Sequence, residues 1–371
     1  MGSLMQTVFQ DAASARAGAW LGVSLRAIAE NYNLVAALGA GAECAAVVKA
    51  DAYGLGADRV APVLAARGAG TFFVAHLDEG IVLRAILPEV RIFVLHGFMP
   101  GCEGSMQAHN LIPVLNDLEQ VRSWQRLCGE KGCAFPAALQ FDTGMSRFGL
   151  SDHDLQDRSV FEGLNLQLVM SHLACADTPD NPANAMQRKR FVEMAAGFPG
   201  VPRSLAASSG IFLGPDYHFE LIRPGAALYG IAPFEGSRAL KPVVSLDARI
   251  VQIRTVQAAD RVGYGLGWTA TKPTRIATLG LGYADGFFRA QAGRGAVWHG
   301  QTRLPVIGRV SMDSISVDLT DAPAGLKAGD VLSVLGPAQD VDALARSAGT
   351  IGYEVLTALG SRFHRVYVSD D

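Results

Sequence analysis

Between residues 45 and 222 the chain alternates short apolar runs with longer segments whose apolar positions recur at helical spacing. The runs fall at 45–48, 72–74, 92–95, 112–115, 137–141, 166–170, 205–207 and 219–222. Runs this short, apolar on both faces and rich in β-branched residues, read as strands buried in a parallel sheet. The segments between them, 117–127 and 184–196 for example, are amphipathic and supply the crossovers. Eight such β–α units in roughly two hundred residues predict an α/β fold with a (β/α)8 TIM-type barrel.

The pattern differs on either side of this region. Residues 1–19 are small and polar and read as a loose arm, followed by a short strand at 20–24. A helix is expected over 25–38, with Ser24 as its N-cap. After Gly230 long helical patterns disappear. Runs at 243–254, 274–279, 296–298, 304–307, 314–318 and 331–335 are β-like, with glycine or proline between them, and helical spacing returns only at 341–348. The expected organisation is a barrel domain over 20–235 and a mainly β C-terminal domain over 236–371, with the strand near 20–24 able to pair with the latter.

Composition acts mostly by exclusion. A 371-residue chain that is 49% apolar and 18% charged, with net charge −3, can fill two cores. It gives no basis for nucleic acid or an acidic membrane surface as partner. Cys44, Cys102, Cys128, Cys133 and Cys175 are odd in number and form no C-x-x-C pair. They read as reduced thiols of a cytoplasmic protein, without a disulfide framework or a metal site. No secretory signal pattern opens the sequence, and no apolar run reaches membrane-spanning length.

Candidate chemistry starts in the stretch from Ala45 to Gly56. Its apolar run ends on Lys49, a residue type rarely buried without a use. Gly54 and Gly56 then permit close backbone approach before a helix. A lone lysine at a strand end ordinarily snorkels to water. In a barrel, however, active groups sit just past the C-terminal ends of the strands, and several other residues fall there. Arg147 follows the fifth run, in Asp142-Thr143-Gly144-Met145-Ser146-Arg147; His172 follows the sixth, Ser208 the seventh, and Arg223-Pro224-Gly225-Ala226 the eighth. Taken singly, each has an ordinary structural reading, and Ser208-Ser209-Gly210 is a plausible plain turn. Together they outline one rim. Farther on, Tyr264 stands between Gly263 and Gly265, which by composition alone suggests a tyrosine packed in a turn.

The stretch from Ala45 to Gly56 resembles, nearly residue for residue, the pyridoxal-phosphate lysine segment of the alanine racemase family. Arg223 to Gly230, Gly263 to Trp268, Gly282 to Phe287 and Gly308 to Asp313 resemble further motifs of that family, in order, and the likeness runs from about Trp20 to Tyr367. The resemblance implies pyridoxal 5'-phosphate as cofactor, its aldehyde condensed with the Lys49 amine. It implies that Arg223 faces the ring nitrogen, where a guanidinium can only donate, and so keeps that nitrogen unprotonated. His172 would lie against the ring. Ser208, the Gly225 and Ala226 backbone, Tyr53 and Tyr353 would hold the phosphate, and Arg147 would meet the cofactor phenolic oxygen and the substrate carboxylate. Met312 would offer its backbone N–H to that carboxylate, while Tyr283 guards the entrance.

Racemisation needs a base on each face of the α-carbon. By the resemblance these are Lys49 and Tyr264, the tyrosine being tuned through a hydrogen-bond chain from His172 to Arg223, because a free tyrosine titrates only near pH ~10. The family arrangement further implies a homodimer with shared active sites, in which Tyr264 and Met312 reach the partner's Lys49. Alanine is the expected substrate.

Three positions depart from the family pattern. Gln140 stands where a lysine, carbamylated in many members, is common; its amide can accept from Arg147 but brings no charge, so either Arg147 is held less firmly or a bound anion such as chloride near Gln140 supplies the charge. Ala207 replaces a usual asparagine and Gly263 a usual serine. Since one methylene changes binding by only about 1–3 kcal/mol, a serine-accepting or broad-specificity racemase is the nearest alternative. A barrel decarboxylase is disfavoured by Tyr264 and Arg223, and a non-catalytic pyridoxal-phosphate-binding barrel by the additional β domain.

Overall fold

β-Branched and aromatic residues supply the strands, and capped amphipathic segments supply the helices between them. The computed structural model describes residues 12–39, 41–237 and 239–369. It divides into two compact units: Ile28–Lys241, and a second that joins the described residues before Ile28 to those from Pro242 onward. Most of the loose arm expected at 1–19 lies outside the described residues. From Ala12 a short helix, Ala12–Arg16, precedes strand β1 (Ala19–Ser24), and Trp20 Nε1 donates to Ser14 Oγ at 2.8 Å. The helix Leu25–Leu38 has the predicted bounds, and Ser24 Oγ accepts the Ala27 N–H at 3.0 Å as its N-cap.

In the first unit the strands are β2 (Glu43–Cys44), β3 (Ala46–Val47), β4 (Thr71–Val74), β5 (Arg91–Val94), β6 (Ile112–Leu115), β7 (Pro136–Gln140), β8 (Asn165–Met170), β9 (Arg203–Ser204) and β10 (Leu221–Ile222). Among the described residues β3 to β9 form a parallel sheet in chain order, and β10 pairs in parallel with β2. The last strand stitches the ends together. On one side Glu220 and Arg223 donate backbone N–H groups to Arg203 and Ala206; on the other Ile222 and Pro224 accept from Ala45 and Val47, at 2.9–3.1 Å. The parallel sheet thus closes into the expected barrel, with β2 and β3 as two halves of one strand. The seventh ladder sits at Arg203–Ser204, slightly before the predicted 205–207.

Buried aromatics fill the barrel wall, with Phe73 stacked on Phe93 at 4.9 Å. Outer helices begin and end where their caps dictate. Asp117 Oδ1 accepts the Gln120 N–H at 2.8 Å to open Leu118–Lys131, and Gly132 closes it in the left-handed region.

The second unit is built on one sheet. β11 (Val244–Val256) is long and bulged between Ile250 and Gln252, so it serves two sets of neighbours. After the small hairpin β12 (Arg261–Val262) and β13 (Trp268–Thr269) come β14 (Thr274–Leu279), β15 (Ala296–His299), β16 (Thr302–Ile307), β17 (Ile315–Asp318), β18 (Val331–Leu335) and β19 (His364–Val368). The sheet order is β14-β17-β16-β15-β18-β11-β1-β19, antiparallel except where β1 runs parallel to β19. The helix Val341–Ala348 matches the return of helical spacing. All five cysteines are free. Among the described residues no helix is long and apolar enough to cross a membrane.

Candidate active site

Val48 leads from β3 into a turn that starts at Lys49. Ala50, Asp51, Ala52 and Tyr53 all lie in the left-handed region, with φ between 52° and 57°. Non-glycine residues cost about 1–2 kcal/mol each in that conformation. Surrounding bonds hold it. Ala52 N–H donates to Val48 O at 2.9 Å, Asp51 Oδ1 accepts the Ala57 N–H at 2.7 Å, and Glu79 Oε1 accepts the Ala50 N–H at 2.7 Å. The turn buries the Tyr53 ring against Tyr229, centroids 4.6 Å apart, and Tyr229 Oη donates to Val47 O at 3.0 Å. Lys49 is partly buried at the barrel rim. Burial, then the positive charges of Arg147 and Arg223, lower its pKa from the ordinary lysine value, with Glu79 opposing them.

Arg223, just past β10, is almost fully buried. Its Nη1 donates to Ser204 Oγ, and Nη2 donates to Ser171 O at 2.7 Å and Leu205 O at 3.3 Å. Burial brings it down to about 9, so it stays protonated at neutral pH. Of its five N–H donors, Nε and the second N–H of Nη1 make no hydrogen bond among the described residues. These bonds correct one expectation. No hydrogen bond joins the His172 ring to Arg223; the guanidinium reaches the backbone beside His172 instead. Burial and the charges of Arg223, Arg147 and Lys49 lower His172 to about 3, which keeps its imidazole neutral.

The Ser208 hydroxyl accepts the Gly225 and Ala227 N–H groups at 2.9 and 3.1 Å. With both lone pairs used, its O–H is left to donate. Gly225 must be glycine here, since a Cβ would overlap the Tyr53 hydroxyl. Ser208, Gly225, Ala226 and Tyr53 are therefore gathered at one end of the barrel. Arg147 leaves β7 on a loop shaped by Asp142, whose Oδ1 accepts the N–H groups of Gly144, Met145 and Ser146 at 2.9–3.1 Å. The guanidinium lies 5.7 Å from the Phe148 ring centroid. Gln140 is buried, and no hydrogen bond joins its amide to Arg147, contrary to the acceptor role expected of it.

In the second unit Tyr264, Tyr283, Met312 and Tyr353 are all exposed, at 71, 40, 52 and 37%. Tyr283 and Ala284 donate to Ser311 O and Met312 O at 3.0 Å, which ties Tyr283 to the Met312 loop. A Cβ on Gly282 would collide with the Met312 carbonyl, so only glycine allows this approach. Arg362 locks the pair: Nε and Nη2 donate to the buried Asp285 carboxylate at 2.7 and 2.9 Å, and Nη1 to Asp313 at 2.6 Å. The Tyr264 turn packs against Arg309, which neighbours all three of its glycines. Tyr353 lies at the start of the helix Gly352–Thr357.

Sequence reasoning passed over several supporting residues. Gln187 is buried and holds the His172 loop, donating to Thr143 Oγ1 at 3.2 Å and His172 O at 3.1 Å while accepting from Ala174 N–H at 2.9 Å. Its signal was a polar residue on the apolar face of its helix, shared with Asn184, Phe191 and Met194. Glu79 and Arg362 carried no such signal, because an acid in a first helical turn and a basic residue near a chain end are both commonplace.

Together these groups suit pyridoxal phosphate. A lysine of lowered pKa, a buried guanidinium with N–H groups to spare, and a buried hydroxyl left to donate match its aldehyde, ring nitrogen and phosphate respectively. No cluster of His, Cys, Asp and Glu among the described residues could hold a metal ion.

Comparison with known proteins agrees. Residues 23–233 match the model for the alanine racemase N-terminal domain, and 243–367 that for the alanine racemase C-terminal domain. A catabolic alanine racemase of Agrobacterium fabrum is 47% identical over 98% of this chain and 95% of its own. An alanine racemase of Brucella canis is 45% identical over 97% and 96%. The crystal structure of a Bartonella henselae alanine racemase with covalently bound pyridoxal phosphate superposes with a TM-score of 0.92 at 40% identity, covering 95% of this chain and all of that one. With both domain models matched in order and relatives aligned end to end, this chain belongs to the alanine racemase family.

Proposed function

We propose that the protein is a pyridoxal-phosphate-dependent alanine racemase that interconverts L- and D-alanine by a two-base mechanism, with Lys49 on one face and the partner subunit's Tyr264 on the other. The observation that carries this reading is the partly buried Lys49 amine, its pKa lowered, on the same barrel rim as Arg223 and the Ser208–Gly225 cradle.

When bound, the cofactor acidifies the substrate α-proton by drawing electrons from the α-carbon. The chain's residues do the rest. Tyr53, the Ser208 hydroxyl and the Ala226 N–H hold the phosphate, Gly225 acting through the Ser208 hydroxyl to which it donates, with Tyr353 in support. Arg223 donates to the ring nitrogen and, remaining protonated, keeps that nitrogen from taking a proton, which restrains side reactions such as transamination. His172 packs as a neutral ring and adds no charge. Arg147 and the N–H of the partner's Met312 bind the substrate carboxylate, and Tyr283 limits side-chain size. Lys49 takes the α-proton from one face while the partner's Tyr264 hydroxyl delivers one to the other, and the reverse direction exchanges the two roles. A homodimer with shared sites is part of the proposal. Chloride beside Gln140 is part of the proposal, since that amide offers Arg147 no charge; exchange into chloride-free buffer is expected to raise KM for alanine.

The decisive experiment is α-proton exchange in heavy water, followed by proton NMR with a panel of L-amino acids. Exchange confined to alanine, with the D-enantiomer accumulating, is the expected result. Exchange across several amino acids would assign a broad-specificity racemase, and none with cofactor bound would leave a binding barrel.

A further inference from the structure

We infer that Glu79 is a positioning residue for Lys49: one carboxylate fixes the strained lysine turn to the neighbouring strand end and sets a negative charge beside the amine. This rests on Lys49 being the cofactor lysine. Glu79 sits in the first turn of the helix Leu77–Ile86, and its Oε2 accepts the N–H groups of Ala75 at 2.7 Å and His76 at 3.1 Å. That half is an ordinary helix-start contact. The other half is not local. Oε1 reaches across 29 residues of sequence to the Ala50 N–H at 2.7 Å. Ala50 is the first left-handed residue after Lys49, so the bond falls where the strained turn begins. Capping a helix does not require a bond to another strand's loop.

The charge has a second effect. Lys49 is faced by Arg147 from the loop after β7, Arg223 from the end of β10, His172 after β8 and His96 after β5, and His96 stacks edge-on against His76 at 4.5 Å. Among these groups Glu79 brings the negative charge, and it favours the protonated amine against two guanidiniums. It thereby sets how far the amine is tuned, while the Ala50 bond sets where the side chain starts.

The test uses apoprotein, with Lys49 acylation followed by peptide mass spectrometry across pH, and amide hydrogen exchange over residues 49–54. In Glu79→Gln the acylation midpoint is expected to fall by about 1 pH unit, since a nearby opposite charge is lost, and exchange at Ala50 to quicken. Glu79→Asp keeps the charge but falls short by a methylene; it should retain the wild-type midpoint yet show the quickened exchange. An unchanged midpoint in Glu79→Gln, or a shift as large in Glu79→Asp, overturns the inference. Should Glu79→Gln fail to fold, Glu79→Asp decides alone, unaltered exchange at Ala50 overturning it. Borohydride reduction of the wild-type holoenzyme separates the two levels. Label on a lysine other than Lys49 removes the underlying reading, whereas label on Lys49 with an unmoved Glu79→Gln profile removes this inference only.

Discussion

The two units hold their candidate residues in opposite ways. On the barrel, Arg223, Ser208 and Tyr53 are 3, 4 and 7% exposed and locked by hydrogen bonds or ring stacking. In the β unit, Tyr264 and Met312 are 71 and 52% exposed on loops braced from behind by Arg309 and by the Arg362–Asp285–Asp313 bridge. One half is finished within its own fold; the other is a rigid display of exposed groups. The difference matches their chemistry. Holding a cofactor and shifting a lysine pKa need a dry, preorganised setting. Presenting a tyrosine and a backbone N–H to another surface needs only a firm scaffold. The exposed apolar side chains on such loops are what the proposed dimer would cover.

The largest expected effect breaks the barrel half. Lys49→Ala should abolish both cofactor attachment, seen as loss of the visible absorption band, and racemisation, a loss exceeding the about 10²–10⁴-fold of one proton-transfer group. Normal turnover in that variant would refute the lysine assignment. Tyr264→Phe breaks the other half and should spare attachment, because the attaching amine is that of Lys49. Racemisation is expected to fall by about 10²–10⁴-fold, with deuterium exchange surviving for one enantiomer and lost for the other. Equal exchange from both enantiomers would sink the two-base scheme.

The same contrast explains what the sequence made legible. The barrel strands were readable because nearly all are short apolar runs, the seventh, Arg203–Ser204, being the exception; Lys49, Arg147, His172, Ser208 and Arg223 could be placed because each follows an apolar run. Tyr264 and Met312 lie in irregular loops and Tyr353 in a helix too short to show periodicity, so only resemblance to a family singled them out. Partners were less legible than positions. The His172–Arg223 and Gln140–Arg147 bonds were expected, yet Arg223 bonds Ser204, Ser171 and Leu205 instead. A guanidinium has five donors, and which acceptors they meet depends on loop geometry that side-chain identity does not encode. The left-handed turn at Ala50–Tyr53 was hidden for a related reason, since alanine and aspartate carry no mark of positive φ.

A smaller effect sharpens the claim that the barrel half is preassembled. Ser208→Ala removes the shared acceptor of Gly225 and Ala227, and leaving buried N–H groups unpaired costs about 1–3 kcal/mol. The denaturant midpoint of the apoprotein should fall accordingly, and cofactor should dissociate more readily. An unchanged midpoint would mean that the cradle forms only around the phosphate.

The smallest effect is electrostatic and belongs to the barrel alone. The folded state holds His172 down at about 3, against an ordinary histidine value near ~6.5. Between those values the unfolded chain takes up a proton that the folded chain refuses. Stability from this group is therefore complete above pH ~6.5 and drains away as the pH falls toward 3, at no more than about 1.4 kcal/mol per pH unit. Other groups also titrate in that range, so the informative quantity is a difference between two proteins. His172→Gln removes the refused proton. The stability of that apoprotein relative to wild type should rise steadily from pH 6.5 down to pH 4, and stay flat above pH 7. Parallel curves across the whole range would show that the folded protein accommodates a charged imidazole at this position, and the barrel half would then be less rigidly tuned than its hydrogen bonds imply.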